Sequence, residues 1–482
     1  MTSTEPVFEF PLAFDAVAAT GRTRALHEAL REAILDHRLR AGPELPATRR
    51  VATAYGLARN TVIAAYDLLV AEGYVTTRAG AKAIVADVAT RPATRTPRLA
   101  DGHLRARWQP PSWSSAVSTG DAWVPDFRLG VPDHRDVPFD VWRRLLARAF
   151  HPRHGAAFSY QPPHGRPRLR EGIAGHVSFA RAVACRGDDV IVTSGARQAF
   201  DLLGRLLVVP GRTVVAVEDP GYPTAAAAMA AAGARIVPVP VDGEGLCVGA
   251  LPREARIVYV TPSHQYPTAV ALSMARRGAL LDFARERDAL VIEDDYDGEF
   301  RYGPRPLDAL QTIDREGRVV YVGTFSKSLF PSLRIGYVVA PEWLRDALAA
   351  SKEAADTCGN AQVQDALADF ILEGHLARHV RRMRRVYAGR RAALLEILDG
   401  PLSRWFEAIP SEAGIHVATR FVDAERADVL LARVREHAAG AMPLRALSQR
   451  ADGVHGVALG IGCIDEDGIR ARLQALGTAL RR

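Results

Sequence analysis

Six short β-rich runs recur through the later part of the chain, and no other feature constrains its fold as much. They are Val190–Thr193, Val214–Val217, Ile257–Val260, Leu290–Ile292, Val319–Val322 and Gly336–Val339. Segments with helical character separate them, among them Gln198–Val208, Thr224–Ala232 and Ala275–Arg287. Strands alternating with helices predict an α/β domain, a largely parallel sheet covered by helices. The pattern runs from about Val124 to the end of the 482 residues. An arginine-rich helix, His375–Leu398, opens a smaller C-terminal α+β lobe.

The first 88 residues differ. Leu26, Leu30 and Ile34, with Ala29 and Ala33 beside them, form one apolar face on a helix from about Arg24 to His37. A second helix is expected from Thr48, a residue able to cap it, to Tyr55, with Gly56 making the turn. A third starts near Arg59, turns Val62, Ile63, Tyr66, Leu69 and Val70 inward and stops at Gly73. Tyr74–Thr77 and Ala83–Val85 then read as a two-stranded wing. Residues 89–123, rich in proline, arginine and serine without periodicity, suit a linker, which leaves 124–482 as the large domain.

Composition excludes several classes. Hydrophobic residues at 48% and charged residues at 24% fit a folded globular chain. No apolar run reaches a membrane span, and Glu5, Glu9 and Asp15 argue against a secretory leader. Cys185, Cys247, Cys358 and Cys463 form no Cys-x-x-Cys pair, so neither a zinc site nor a disulfide framework is expected, and a cytoplasmic location is. Of the 62 basic residues only Lys82, Lys327 and Lys352 are lysines. Composition bias accounts for that, yet any chemistry needing a lysine amine has three candidates.

The proposed helix–turn–helix places Arg59, Asn60 and Thr61 at the N-terminus of its third helix, the end that enters a major groove, where arginine pairs with guanine and asparagine with adenine. Residues 1–88 carry ten basic and ten acidic side chains, but residues 38–61 carry five arginines, Arg49 and Arg50 among them, against Glu44 alone. The charge lies where phosphates would run. On spacing alone, a helical domain with a solvated arginine face fits as well. Residues 25–75 resemble the GntR-type winged helix through Leu45–Arg49, Ala58–Val62 and Tyr66–Tyr74. That resemblance implies contacts to double-stranded DNA by Arg49, Arg59, Asn60 and Thr61. The wing, Arg78-Ala-Gly-Ala-Lys82-Ala83, departs from the common Arg-Pro-Gly-Ser-Gly-Thr, although Arg78 and Lys82 can still reach a minor groove.

A second constellation lies on successive strand ends, where parallel sheets bind ligands. "GTFSKSLFPSLRIGY" (323–337) sets Lys327 among Thr324 and Ser326, with Arg334 downstream. A lysine there can form a Schiff base while hydroxyls and a guanidinium hold a phosphate; alone, Ser-Lys-Ser is usually a solvated loop. "VIEDDYDGEF" (291–300) ends a strand in carboxylates, one of which can keep a pyridine nitrogen protonated, unless the cluster is a surface or metal site. "VTSGARQAFDLL" (192–203) offers the N–H groups of Ala196 and Arg197 at a helix start, although many such turns bind nothing. Tyr222 in "EDPGYPTA" can stack on a ring or simply pack in the core.

Taken in order, with "TPSHQYPTA" (261–269) between them, these motifs resemble the fold-type I pyridoxal 5'-phosphate enzymes of the aspartate aminotransferase group. The resemblance implies Lys327 as the internal aldimine, Asp294 on the pyridine nitrogen, Tyr296 on the 3-oxygen and Tyr222 stacked on the ring. Ala196, Arg197, Thr324, Ser326 and Arg334 would hold the phosphate, and Tyr160 would reach the neighbouring subunit's phosphate. No metal site is expected. Three positions break the pattern: Ala458 and Thr224 stand where arginines can clamp a substrate carboxylate, and Ala269 stands where glycine is usual.

The whole chain resembles the MocR family, GntR-type winged helices joined to an aminotransferase-like domain. That implies a homodimeric transcription regulator acting on repeated DNA half-sites. Its effector is expected to be pyridoxal 5'-phosphate itself or an amine that displaces Lys327, and the missing clamp favours the first. The competing expectation is an aminotransferase with an accessory DNA-binding domain.

Overall fold

A computed structural model describes residues 7, 8, 10, 12, 21–77, 83–87, 125–152, 158–303, 308–450 and 453–481. Its contacts divide the chain into two units, Met1–Trp108 and Gln109–Arg482.

In the first unit α1 (Arg22–Leu35), α2 (Thr48–Tyr55) and α3 (Arg59–Ala71) precede the antiparallel pair β1 (Val75–Thr76) and β2 (Ile84–Val85). The four-residue recurrence in α1 buries Leu26, Leu30 and Ile34 against Val51 of α2 and Val62, Ala65, Tyr66 and Leu69 of α3. Ile63 and Val70, expected inward, are only half-buried, because Ala65 takes the central position of that face. Gly56 closes α2 at φ +62°, a conformation costly for a residue with a Cβ. Thr48 does not cap α2: it is the helix's first residue, and Ala47 precedes it without a side-chain bond. The Tyr66 hydroxyl donates to Pro46 O at 2.9 Å, tying α3 to the loop before α2. Phe8 and Leu12, which carry no periodic signal, complete this core. Residues 89–123, Arg78 and Lys82 lie outside the described residues.

The second unit begins with α4 (Phe139–Ala149) and α5 (Pro167–Arg181). Strands and helices then alternate: β3 (Val190–Thr193), α6 (Ala196–Leu207), β4 (Val214–Asp219), α7 (Pro223–Ala232), β5 (Arg235–Asp242), β6 (Gly245–Leu246), β7 (Ala255–Val260) and α8 (Met274–Glu286). After them come β8 (Leu290–Asp295), α9 (Leu310–Ile313), β9 (Val319–Thr324), β10 (Gly336–Val339), α10 (Glu342–Asp356) and α11 (Ala361–Leu372). The sheet order is β3-β10-β9-β8-β7-β4-β5-β6. The run from β9 to β5 is parallel, whereas β10 is antiparallel to both its neighbours and β6 is antiparallel to β5. Two antiparallel steps restore direction, so β3, β9, β8, β7 and β4 all end at one edge. Successive residues serve opposite helical layers: Val320 and Val322 pack with Phe200 and Leu203, and Tyr321 packs with Ile173 and Phe370.

The remaining lobe contains α12 (His375–Asp399), β11 (Phe406–Ala408), β12 (His416–Phe421), α13 (Ala427–His437), β13 (Met442–Pro443), β14 (Gly456–Gly460) and α14 (Glu466–Arg481). Its antiparallel sheet, ordered β11-β12-β14-β13, buries Val417 and Leu459 against Tyr387, Leu394 and Leu473.

Candidate functional site

Every cofactor residue expected from the sequence except Tyr160 sits at or just beyond that common strand edge. β9 ends at Thr324, and the turn after it carries Lys327, whose Nζ donates to Gly130 O at 2.6 Å. Burial lowers the lysine pKa, opposed by Asp297 and Asp294. Gly130 is at φ +69°, and a Cβ there would come within 2.8 Å of Nζ, so glycine is what lets the carbonyl approach. Sequence reasoning missed Gly130, which no neighbouring chemistry marks.

Strand alternation sorts the three acids of β8. Glu293 accepts from the N–H groups of Leu310 and Gln311 at 2.8 Å, and Asp295 accepts from Arg181 Nε at 2.6 Å and Tyr321 at 2.7 Å. Asp294 points to the other face. One of its oxygens accepts from Tyr259 at 2.7 Å, and the other is buried without a partner. Burial pushes its pKa up from 3.8 to about 7. The three acids of β8 are therefore not a surface cluster: two carboxylates are spent on structure and the third has an oxygen to offer. Neighbouring Glu218, also pushed up to about 7 by burial, accepts from Thr261 and Gln265.

The phosphate turn forms at the end of β3. Gly195 at φ +86° starts α6, whose first N–H groups, at Ala196 and Arg197, precede any intrahelical bond. Arg334 lies across it, donating to Ser194 O at 2.6 Å. A Cβ on Gly195 would sit 3.1 Å from that guanidinium, and one on Gly336 would sit 2.9 Å from Ala196 N, so two missing side chains shape the cradle. Thr324 and Ser326 are linked at 3.0 Å. Tyr222 precedes α7, edge-on to Tyr266 with ring centroids 5.4 Å apart. Tyr160 is 87% exposed and does not join the cluster within one chain. Lys352 is only 2% exposed and donates to Asp356 at 2.6 Å, so its amine is taken.

Where a carboxylate clamp would stand, Ala458 on β14 is wholly buried with Val270, Ile409, Ala418 and Leu444. Thr224 has a buried hydroxyl without a partner. Beside Tyr296 stand His264, Asp297 and His416, whose donor atoms lie within 4.8 Å of one another. Each already bonds protein groups, and we assign no ion to them.

In the first unit Arg49, Arg50, Arg59 and Asn60 are exposed, and Thr61 is half-buried in the first turn of α3. The positive stretch thus faces solvent at a helix N-terminus, as a groove reader requires.

A winged helix–turn–helix followed by an aminotransferase-type α/β domain is the architecture of a DNA-binding protein built on an enzyme scaffold. The chain matches the bacterial regulatory proteins of the gntR family over residues 22–85 and aminotransferase class I and II over 126–443. It is 37% identical over 477 residues to the probable rhizopine catabolism regulatory protein MocR of Rhizobium meliloti, covering 97% of this chain and 95% of that one. It is 31% identical to the pyridoxine biosynthesis transcriptional regulator PdxR of Corynebacterium glutamicum, covering 98% and 99%. The chain belongs to the MocR-type transcription regulators of the GntR superfamily. Among solved structures, Pyrococcus horikoshii kynurenine aminotransferase, determined in complex with PMP, superposes with TM-score 0.68 at 28% identity over 75% of this chain and 91% of that one. Among the described residues no helix is long and apolar enough to cross a membrane.

The cofactor of this fold class is pyridoxal 5'-phosphate, and the residues present fit it. The unpartnered Asp294 oxygen suits a ring N–H, Lys327 suits an aldehyde, and the Gly195 cradle suits a phosphate.

Proposed function

We propose that the chain is a DNA-binding transcription regulator whose operator affinity responds to pyridoxal 5'-phosphate held covalently at Lys327, or to an amine that competes with the lysine there. When bound, the cofactor supplies an aldehyde for the lysine and an electron-withdrawing pyridine ring. The chain's own residues do the rest. Burial keeps the Lys327 amine less basic, hence more available as a nucleophile, and Gly130 O fixes its direction. Asp294 receives the ring N–H, Tyr222 covers a ring face and Tyr296 reaches the ring oxygen. Ala196, Arg197, Thr324, Ser326 and Arg334 hold the phosphate. In the first unit Arg59, Asn60 and Thr61 read bases, Arg49 holds a phosphate and Arg78 reaches the minor groove.

One observation carries the sensor reading over turnover: Ala458, buried with Val270, Ile409, Ala418 and Leu444, stands where a carboxylate-binding arginine would, while the residues proposed for the cofactor are retained. An absent guanidinium forgoes about 1.5–3 kcal/mol of charge-assisted bonding to a carboxylate, and with it the orientation transamination needs. The retained Lys327, Asp294 and Tyr296 favour the second reading, residual aminotransferase activity. Phe158 and Tyr160, 69% and 87% exposed, support a homodimer in which these aromatics meet the partner.

The test pairs two measurements on the full chain: steady-state turnover with common α-amino acids, and operator binding with and without pyridoxal 5'-phosphate. The expected result is negligible turnover with cofactor-dependent DNA affinity, and by linkage DNA must change cofactor affinity by the same factor. Turnover at about 1–10³ s⁻¹ with cofactor-independent DNA binding would reverse the reading.

A further inference from the structure

Behind Tyr296 lies a hydrogen-bonded group with no assigned role. His264 Nδ1 is 3.1 Å from Asp297 Oδ1 and 2.8 Å from the Tyr296 hydroxyl. The imidazole fills a slot that only glycine leaves open: Gly414 is at φ +82°, and a Cβ there would lie 1.8 Å from His264 Cε1. On its other side the His416 ring stands 4.6 Å away, centroid to centroid, anchored by Nε2 at 3.0 Å from Pro267 O. His264 and Asp297 are 2% and 1% exposed, so these are fixed partners.

One nitrogen facing two oxygens decides where the hydrogens are. Were Nδ1 bare, its lone pair would confront the Asp297 carboxylate, which is tolerable only if that carboxyl were protonated. Burial alone would raise the Asp297 pKa, but His264, His416 and the Ile415 N–H hold it below its ordinary value. Asp297 is therefore an anion at neutral pH, and Nδ1 carries a hydrogen. His264 Nε2 is buried without a partner, which suits a bare nitrogen better than an N–H. With a hydrogen on Nδ1, the Tyr296 oxygen is an acceptor, and its own hydroxyl hydrogen must point elsewhere.

We propose that His264, oriented by Asp297, sets the direction of the Tyr296 hydrogen bond, so that the phenol accepts from the imidazole and delivers its hydrogen to the ring oxygen of the cofactor beside Lys327. The three residues form a relay of orientation: carboxylate to imidazole, imidazole to phenol, phenol to ligand. His264 and Asp297 are positioning residues and touch no reacting atom. The inference rests on the cofactor pocket proposed above. The other titratable groups around Tyr296 are Tyr266, Asp294 and Glu218, with Lys327 and His416 beyond.

The test is a pH titration of the visible band, near ~420 nm, of the full chain loaded with pyridoxal 5'-phosphate. It compares wild type, Y296F, D297N, H264F and the double variants Y296F/D297N and Y296F/H264F, with circular dichroism confirming folding. A phenol hydrogen on the ring oxygen favours the proton-poor form of the bound group, so losing it raises the midpoint by about one to two pH units. Y296F should show that rise. Replacing Asp297 also removes a negative charge near Lys327, which lowers the midpoint in any background. The relay therefore predicts that D297N shifts the midpoint upward in wild type relative to its shift in Y296F, by up to the same one to two units. H264F should raise the midpoint in wild type and leave Y296F unchanged. A band with equal D297N shifts in both backgrounds and no H264F effect overturns the relay and leaves the cofactor reading standing. A wild-type chain with no band overturns the cofactor reading itself.

Discussion

Asp294→Asn should separate the fold's stability from its ligand affinity, with a sign that depends on pH. In the cofactor-free chain burial holds the Asp294 proton up to about pH 7, whereas the ordinary carboxyl releases it near 3.8. Between those values the unfolded chain is ionised at this residue and the folded chain is not. The folded state binds the extra proton, so stability falls as pH rises through that window. One pH unit corresponds to about 1.4 kcal/mol. From pH 5 to pH 7, where the folded carboxyl is itself half ionised, the wild-type apoprotein thus loses about 2 kcal/mol at this carboxyl alone. Asparagine does not titrate. Its amide oxygen keeps the Tyr259 bond, and its NH₂ replaces the unpartnered oxygen at a cost of about 1–3 kcal/mol that is the same at every pH. The assay is urea or thermal unfolding of both cofactor-free proteins at pH 5 and pH 7. The variant should gain about 2–3 kcal/mol on wild type between the two, whatever the offset at pH 5. Glu293, also pushed up to about 7, is present in both proteins and cancels; Glu218 loses the Asp294 contribution to its own rise, a smaller change in the same direction. At a hundredfold excess of pyridoxal 5'-phosphate over its Kd, wild type should recover about 2.7 kcal/mol, and the variant distinctly less. A wild-type-to-variant difference that is identical at both pH values would refute the buried, proton-holding carboxyl.

Lys327→Ala should abolish the visible cofactor band, while Lys82→Ala and Lys352→Ala keep it; borohydride trapping with peptide mapping checks the site, and label on Lys352 would contradict the assignment. Arg59→Ala should cost about 1–3 kcal/mol on the cognate operator and flatten sequence preference, whereas Arg49→Ala should weaken cognate and random DNA alike with a shallower salt dependence, both read by titration across ionic strength. Gly195→Ala places a Cβ 3.1 Å from the Arg334 guanidinium at φ +86°, so the apoprotein should lose about 1–2 kcal/mol and pyridoxal phosphate affinity should drop, measured by unfolding and by equilibrium dialysis.

Strands with β-branched runs were legible to within a residue or two, β3 and β10 at both ends, except β8, which runs past Ile292 through three acids to Asp295. β5 was not, because Pro238 and Pro240 interrupt Arg235–Asp242 and read as loop. Two residues apart, both prolines turn their missing N–H to the same edge, away from the β4 ladder, so the strand tolerates them. At the site, Lys327, Asp294 and the Gly195 turn could be found because each is a distinctive residue type at a strand end. Gly130 and Gly414 could not, since their roles arise from segments brought together across more than a hundred residues, from Gly130 to Lys327 and from His264 to Gly414, and Tyr259 could not, because its bond to Asp294 crosses from one strand to its neighbour. Thr48 failed as a cap for a local reason: the helix begins one residue earlier than a hydroxyl cap requires.

The burial of Lys352 against Asp356 bears on how a sensor of this kind would count its signal. Pyridoxal phosphate is an aldehyde and condenses indiscriminately with accessible amines, so a lysine-rich surface would adsorb it at many places and blur the dose at which the proper site fills. Here 59 of the 62 basic side chains are arginines, which carry charge for DNA but do not form such adducts under mild conditions. With Lys352 withdrawn into the interior, Lys82 is the one remaining side-chain competitor for Lys327. Occupancy should then saturate close to one cofactor per chain, with little background, whatever evolutionary pressure produced the arginine bias.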